Sequence, residues 1–288
     1  MRYEEPVFRP PSEAYSLIIQ ATIGCSHNKC TFCGMYRGKK FRIRDIDEVK
    51  EDILLSKEYY GEVRRIFLAD GNAFAIPTDQ LLEILDFAYA IYPKLERVSA
   101  YAGPLDLLEK DDSEIRELRK RGLKMLYLGV ETGDDELLKE IRKGVSADEM
   151  VEAGRKAIRN GMTLSVTVLI GLGGKDGSFR HAKETAKVIN RMEPHYTAAL
   201  TLILIPRTPL YRMYEKGQFQ PLDKMETLQE LRWLIEDINC RTIFRSNHAS
   251  NYLPIKGNLP DDKEKILKLI DYSMKNPKVL RPEFLRGL

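Results

Sequence analysis

The sequence predicts an α/β fold: a partial (β/α)6 TIM-like barrel with a mainly helical C-terminal extension. Short apolar runs alternate with amphipathic stretches that open on Asp, Ser or Thr and close on Gly or Pro. Each repeat is ~30 residues, the size of one βαβ unit. Six units fill residues 15–215 of the chain, short of the eight of a closed barrel. Residues 1–14 are then an N-terminal extension, and residues 216–288 an extension expected to cover the barrel opening.

The elements follow in order. Leu17 to Thr22 is apolar and ends at Gly24. Asp45 caps a helix through about Tyr60. Arg65–Ala69 reads as a buried strand, followed by Asp70-Gly71-Asn72. Thr78 caps the next helix, which Pro93 closes. Val98–Ala102 is a strand, and a charged helix runs from Ser113 to Arg121 before Gly122. Met125–Val130 is a strand ending at Glu131-Thr132-Gly133. Two helices split near Gly144, and Gly161 ends the second. Leu164–Ile170 is a strand that ends in Gly171-Leu172-Gly173-Gly174, and Ala198–Ile205 is the sixth. Beyond it, Arg241–Arg245 is a further strand candidate.

The charge balance is 46 basic against 43 acidic residues, so no global nucleic-acid footprint exists. No apolar run approaches the ~20 residues needed to span a bilayer. The expected protein is cytoplasmic, with reduced thiols and no membrane partner.

Three of the four cysteines fall in one window, Cys25-Ser-His-Asn-Lys-Cys30-Thr-Phe-Cys33. Three thiolates suit three irons of a 4Fe–4S cubane, which usually takes four Cys ligands. The fourth iron is then open to a small molecule. A structural zinc site wants four ligands in paired spacing, and His27 lies only two residues from Cys25. A disulfide framework does not suit four cysteines without a secretory signal. Cys240 reads as a buried small hydrophobe rather than a radical relay.

With Phe32 inside Cys30-x-Phe32-Cys33, the segment resembles the radical SAM superfamily. Its usual spacing is CxxxCxxC, and this chain carries one more residue in the first gap. The resemblance covers residues 15–210 and runs nearest to the coproporphyrinogen oxidase, methylthiotransferase and Elp3-like branch. It implies a 4Fe–4S cluster on Cys25, Cys30 and Cys33, with S-adenosylmethionine (SAM) chelating the open iron. Reductive cleavage of SAM would give a 5′-deoxyadenosyl radical that takes hydrogen from a substrate. Phe32 would lie near the adenine. Asp70 and Gly71 stand where the family has a Gly-Gly-Glu-like turn, so Asp70 would accept from the methionine amino group. Lys143 matches a basic position that pairs with the methionine carboxylate in the coproporphyrinogen oxidases, with Arg142 and Arg155 as alternatives.

The strand ends supply the rest of the candidate set, because parallel barrels keep their chemistry there. Ser99 and Tyr101 share one face of the third strand by the two-residue period. Glu131 is a carboxylate suited to a ribose or ammonium, or an ordinary first-turn acid of the next helix. Ser165 and Thr167 form a polar pair among apolar neighbours, which a ligand or water would satisfy. Gly171 would bring backbone close to the adenine, or be only a turn.

Arg245–Tyr252 is a polar run that follows the last strand candidate. His248 in it is the candidate catalytic or substrate-binding residue; the plain alternative is a polar surface loop. Lys29, Arg37, Lys39, Lys40, Arg42 and Arg44 surround the cysteine loop. They suit an acidic small molecule, a ferredoxin or flavodoxin reductant, nucleic-acid phosphates, or water alone. A small-molecule substrate is preferred over nucleic acid. No cobalamin domain, auxiliary three-cysteine domain or second cluster is expected within these residues. An iron–sulfur protein for electron transfer or sensing, without SAM cleavage, is the alternative class. The Asp-Gly and Glu-Thr-Gly turns favour the enzyme, since an electron carrier has no need of them.

Overall fold

The computed structural model describes residues 1–287. In chain order the elements are β1 (Leu17–Gln20), β2 (Thr22–Ile23), β3 (Arg42–Ile43), α1 (Ile46–Tyr60), β4 (Arg65–Ala69), α2 (Thr78–Ile91), β5 (Arg97–Ala102), α3 (Pro104–Glu109) and α4 (Asp112–Lys120). They continue as β6 (Leu123–Glu131), α5 (Asp135–Glu140), α6 (Ala147–Arg159), β7 (Thr163–Ile170), α7 (Gly174–Met192), β8 (Tyr196–Thr201) and α8 (Pro209–Glu215). The last four are α9 (Lys224–Asp237), β9 (Thr242–Ser246), β10 (Ile255–Leu259) and α10 (Lys263–Lys275).

The main sheet has eight strands in the order β1-β4-β5-β6-β7-β8-β9-β10, and β2 pairs with β3 separately. Strand β1 is parallel to β4, β4 to β5, β5 to β6, β7 to β8 and β8 to β9. Strand β10 runs antiparallel to β9, and the separate β2–β3 pair is antiparallel too. The sheet is an open, mostly parallel one rather than a closed barrel. All six expected strands are present, and the candidate at Arg241–Arg245 is β9.

Residues 216–288 hold α9 and α10, the expected strand β9, and one further strand, β10. Strand β10 escapes notice because Ile255-Lys-Gly-Asn-Leu259 holds only two apolar residues around Gly and Asn, which disfavour strands. Thr78 is the first residue of α2 rather than its cap, a place taken by Pro77. Its hydroxyl instead donates to Glu114 Oε1 at 2.6 Å.

The chain divides into two compact units. The first holds Met1–Asn28, Met35–Leu128 and Lys156–Leu164. Here Asp45 caps α1 through the amides of Asp47 and Glu48, as its sequence predicts. Helix α2 buries Leu81, Ile84, Leu85 and Ala88, the spacing of one helical face. Leu81, Ile84 and Leu85, all fully buried, each contribute about 1.5–3 kcal/mol. The second unit holds Lys29–Gly34, Gly129–Arg155 and the chain from Ser165 onward.

An N-terminal 3-10 turn carries Glu13, which is fully buried in the first unit. It accepts from Arg97 Nη2 at 2.8 Å and from the Tyr127 hydroxyl at 2.5 Å. Burial, then the nearby Glu13 charge, pushes the Tyr127 hydroxyl far above its ordinary pKa. Removing Glu13 takes the carboxylate acceptor from Arg97 and from the buried hydroxyls of Tyr127 and Ser16. Glu13→Ala is expected to lower unfolding stability by about 2–4 kcal/mol, read from the urea midpoint. An unchanged midpoint would mean the buried acid carries no net stability.

Candidate active site

Every residue of the Asp70-Gly71-Asn72 turn holds the start of the cysteine loop. In the first unit Asp70 is fully buried. Its Oδ2 accepts from Lys39 Nζ at 2.8 Å, the Gly24 amide at 3.1 Å and Gln20 Nε2 at 3.1 Å. The Gly71 amide donates to the Gly24 carbonyl at 3.0 Å. A Cβ on Gly71 would meet the Tyr36 ring at 2.5 Å and the Cys25 Cβ at 2.9 Å, so only glycine lets the loop pack here. Asn72 donates through Nδ2 to Ser26 Oγ at 2.7 Å and accepts from the Gly103 amide at 3.1 Å.

Asp70 is thus placed differently from its sequence reading as an acceptor for the cofactor amino group. Its Oδ2 is committed to the loop, and Oδ1 is buried with no donor among the described residues. The physical reason is Lys39, whose side chain is 9% exposed. A carboxylate taken out of water needs a partner in good geometry, and this lysine supplies it. The basic stretch around the loop is partly spent in the same way. Arg42 pairs with Glu4, and Arg44 pairs with buried Asp52 at 2.8 Å. Lys29, Arg37 and Lys40 stay exposed. Tyr101 packs edge-on against Phe67, and Ser99 is fully buried with its hydroxyl on the Ile66 carbonyl.

In the second unit, backbone bonds fix the Cys30–Cys33 arm. The Thr31 amide donates to the Ile141 carbonyl, and the Leu210 amide donates to the Thr31 carbonyl, both at 3.0 Å. Phe32 packs against an apolar cluster of Leu137, Ile141, Leu172, Leu210 and Phe219. The three loop cysteines are half-buried and form no disulfide. Cys240 is buried, its thiol pushed up to about 11 mainly by burial, which suits an inert side chain.

Two sequence candidates meet directly. Lys143 Nζ donates to Glu131 Oε1 at 3.1 Å, with side chains 10% and 14% exposed. Glu131 sits at φ +65°, a conformation uncommon for a residue with a side chain. A Cβ at Gly129 would lie 2.2 Å from Glu131 Oε1 and 3.1 Å from Lys143 Nζ. Glycine therefore leaves the space in which the pair sits. On β7, Ser165 is buried and Thr167 half-buried, two residues apart on one face.

Gly171 takes φ +87°, a left-handed turn that favours glycine. Its amide donates to Glu230 Oε1 at 2.6 Å. Glu230 is fully buried and also accepts from Ser178, with His181 Nε2 3.5 Å away. Burial raises the Glu230 pKa despite these partners. The other His181 nitrogen, Nδ1, lies 2.7 Å from the Thr132 hydroxyl, and Nε2 lies 3.1 Å from the Leu169 carbonyl. One buried relay therefore ties the Glu131-Thr132-Gly133 turn to the glycine turn after β7. Sequence reasoning missed both His181 and Glu230. They lie in the middle of α7 and α9, where a lone polar residue carries no local signal.

His248 lies where β8 and β9 end. Ser250 and Asn251 of its loop bond Thr201, the last residue of β8. The Ser250 amide donates to His248 Nδ1 at 3.1 Å, so the ring proton belongs on Nε2. Burial, then Arg281, lowers the His248 pKa and favours the neutral ring. Arg281 Nη1 fixes the loop through the carbonyls of His248, Ala249 and Asn251.

Comparison with known proteins settles the family. The model of the radical SAM superfamily matches residues 19–187, more than half of the chain. The chain belongs to the radical SAM superfamily. It is 24% identical over 236 residues to an uncharacterized protein of Methanocaldococcus jannaschii, covering 77% of this chain and 69% of that one. It is 20% identical to the heme chaperone HemW of Bacillus subtilis, covering 57% of this chain and 43% of that one. A putative methylthiotransferase of M. jannaschii is 27% identical, over 54% of this chain and 35% of its own length. The chain thus spans less than half of the last two relatives.

Among solved structures, coproporphyrinogen III oxidase from Escherichia coli superposes with a TM-score of 0.60 at 15% identity, covering 78% of this chain and 52% of that one. The archaeal Elp3 of Methanocaldococcus infernus gives 0.54 at 17% identity, covering 82% and 60%. These likenesses show a shared fold. This radical SAM chain has no helix among its described residues that is long and apolar enough to cross a membrane.

The Asp70–Lys39 pair yields a direct test. Asp70→Ala leaves a buried ammonium and is expected to cost about 3–5 kcal/mol. Adding Lys39→Ala to Asp70→Ala should recover part of that loss, measured as a coupling energy in a double-mutant cycle. Additive single effects would show that the pair does not hold the loop.

Proposed function

We propose that this chain is a radical SAM enzyme in which Cys25, Cys30 and Cys33 hold a 4Fe–4S cluster with one iron left for SAM. The observation that carries the reading is the treatment of the loop. Its first arm is gripped by Asp70, Gly71 and Asn72, and its second by the backbone of Ile141 and Leu210. A loop built for solvent alone needs no such buried grip. The donor set fits the cluster in its chemistry, since three half-buried free thiols fall within nine consecutive residues.

When bound, cluster and cofactor together supply reductive carbon–sulfur cleavage and a 5′-deoxyadenosyl radical for hydrogen abstraction. The chain's own part is binding and orientation. Lys143 offers a cation for the methionine carboxylate, and Glu131 an acceptor for a ribose or amino group. Their mutual ion pair keeps both charges neutralised before a ligand enters. Ser165 and Thr167 offer hydroxyls along β7, Gly171 offers a turn without a side chain, and Tyr101 and Phe32 offer aromatic surface. His248, neutral with its proton on Nε2, is a donor for substrate and a shield for a dry site. Exposed Lys29, Arg37 and Lys40 favour an acidic reductant such as ferredoxin or flavodoxin by electrostatic steering. The substrate is proposed to be a small molecule.

Protein reconstituted anaerobically with iron and sulfide, then given dithionite and SAM, should form 5′-deoxyadenosine. Each of Cys25→Ala, Cys30→Ala and Cys33→Ala should abolish it, and Cys240→Ala should not. Lys143→Ala should keep the iron and sulfide content of the cluster, while SAM affinity falls roughly ten- to a hundredfold. A stable cluster in wild type that never yields 5′-deoxyadenosine would favour the electron-transfer or sensing class.

A further inference from the structure

The first unit places a second carboxylate beside the start of the cysteine loop. Asp106 lies in the first turn of α3, just beyond the end of β5. Its Oδ2 accepts from Asn72 Nδ2, the same amide nitrogen that reaches Ser26 Oγ at 2.7 Å. Ser26 is the residue after Cys25. The carboxylate is therefore two hydrogen-bonded contacts from a proposed cluster ligand's neighbour, while it is itself only half-buried.

The chain has shaped its backbone around this group. A Cβ at Gly103 would fall 2.4 Å from Asp106 Oδ2 and 2.9 Å from Asn72 Nδ2. Glycine at that position leaves the pair its room. No cation of the described residues forms an ion pair with Asp106. Lys110, one turn further on, spends its ammonium on the Ile76 carbonyl at 2.9 Å and the Thr78 hydroxyl at 3.2 Å. Burial raises the Asp106 pKa, and the Asn72 bond offsets only part of that. An acid held this way gains from a donor that arrives with a ligand.

Asp70 would be the obvious acceptor from its sequence position, but its Oδ2 is closed by Lys39, Gly24 and Gln20, and Oδ1 is sealed from water. Of the two carboxylates that bond or border the Asp70-Gly71-Asn72 turn, Asp106 is the one a ligand can reach. We propose that Asp106 is a cofactor-binding residue that accepts a hydrogen bond from the amino group of SAM, with Asn72 holding it against the cysteine loop. This rests on the radical SAM reading above.

Asp106→Asn keeps the shape and removes the charge. Reconstituted wild type and variant are compared by anaerobic equilibrium dialysis with two probes. SAM carries the amino group; 5′-methylthioadenosine carries the adenosine without it. The variant should bind SAM roughly ten- to a hundredfold more weakly. Its 5′-methylthioadenosine affinity and its iron and sulfide content should match wild type. SAM affinity within twofold of wild type overturns the proposal. So does an equal loss for both probes, which would assign Asp106 to the adenosine or to loop shape. Wild type that holds its cluster and binds no SAM overturns the radical SAM reading itself, and the role of Asp106 falls with it.

Discussion

The contact between Asp70 and Lys39 fixes where the cysteine loop begins in the first unit. A carboxylate with no exposure must be neutralised or protonated, and Lys39 neutralises it at 2.8 Å. The same oxygen takes the amide of Gly24, the residue before Cys25. One buried ion pair therefore sets where the cysteine loop begins, since Lys39 lies beyond its far end in sequence and Asp70 at the end of β4. Asn72 extends the grip to Ser26, and Gly71 allows the approach by lacking a side chain. Hydrogen-bonded charge is a costly way to stabilise a fold. Its use here makes sense as a means of holding one loop in one place.

The second unit solves a parallel problem with different chemistry. There the Cys30–Cys33 arm is fixed by backbone bonds and by Phe32 in an apolar cluster. The turns after β6 and β7 are tied by the relay of Thr132, His181 and Glu230. Each of these polar groups is fully buried, and each has partners. Satisfied buried networks of this kind favour a single arrangement of the turns they join. Rigid support of a site's surroundings is what positions a reactive group within tolerances that chemistry needs.

Much of this was legible in the residues. The six parallel strands follow from apolar runs and turn residues, because both are local signals. Cys25, Cys30 and Cys33 stand out because metal-ligand spacing is local too, and they lie within the residues that the family model matches. Glu131 and Lys143 are twelve positions apart, and their pairing emerges only when the chain folds. Asp70 shows the limit most clearly. Its place at a strand end was plain, while its burial under Lys39 depends on a loop whose path no local pattern gives. Asp106, His181 and Glu230 were invisible for the same reason. A single acid or imidazole on a helix looks like any solvated charge until its neighbours are known.

The central claim is an open iron held by three cysteines and reached by SAM. The most direct measurement is electron–nuclear double resonance on the reduced, reconstituted protein, with SAM labelled with nitrogen-15 in its amino group. The account predicts a hyperfine coupling from that nitrogen to the cluster, lost when unlabelled SAM is substituted. A cluster spectrum unaltered by SAM, with no nitrogen coupling, would contradict it.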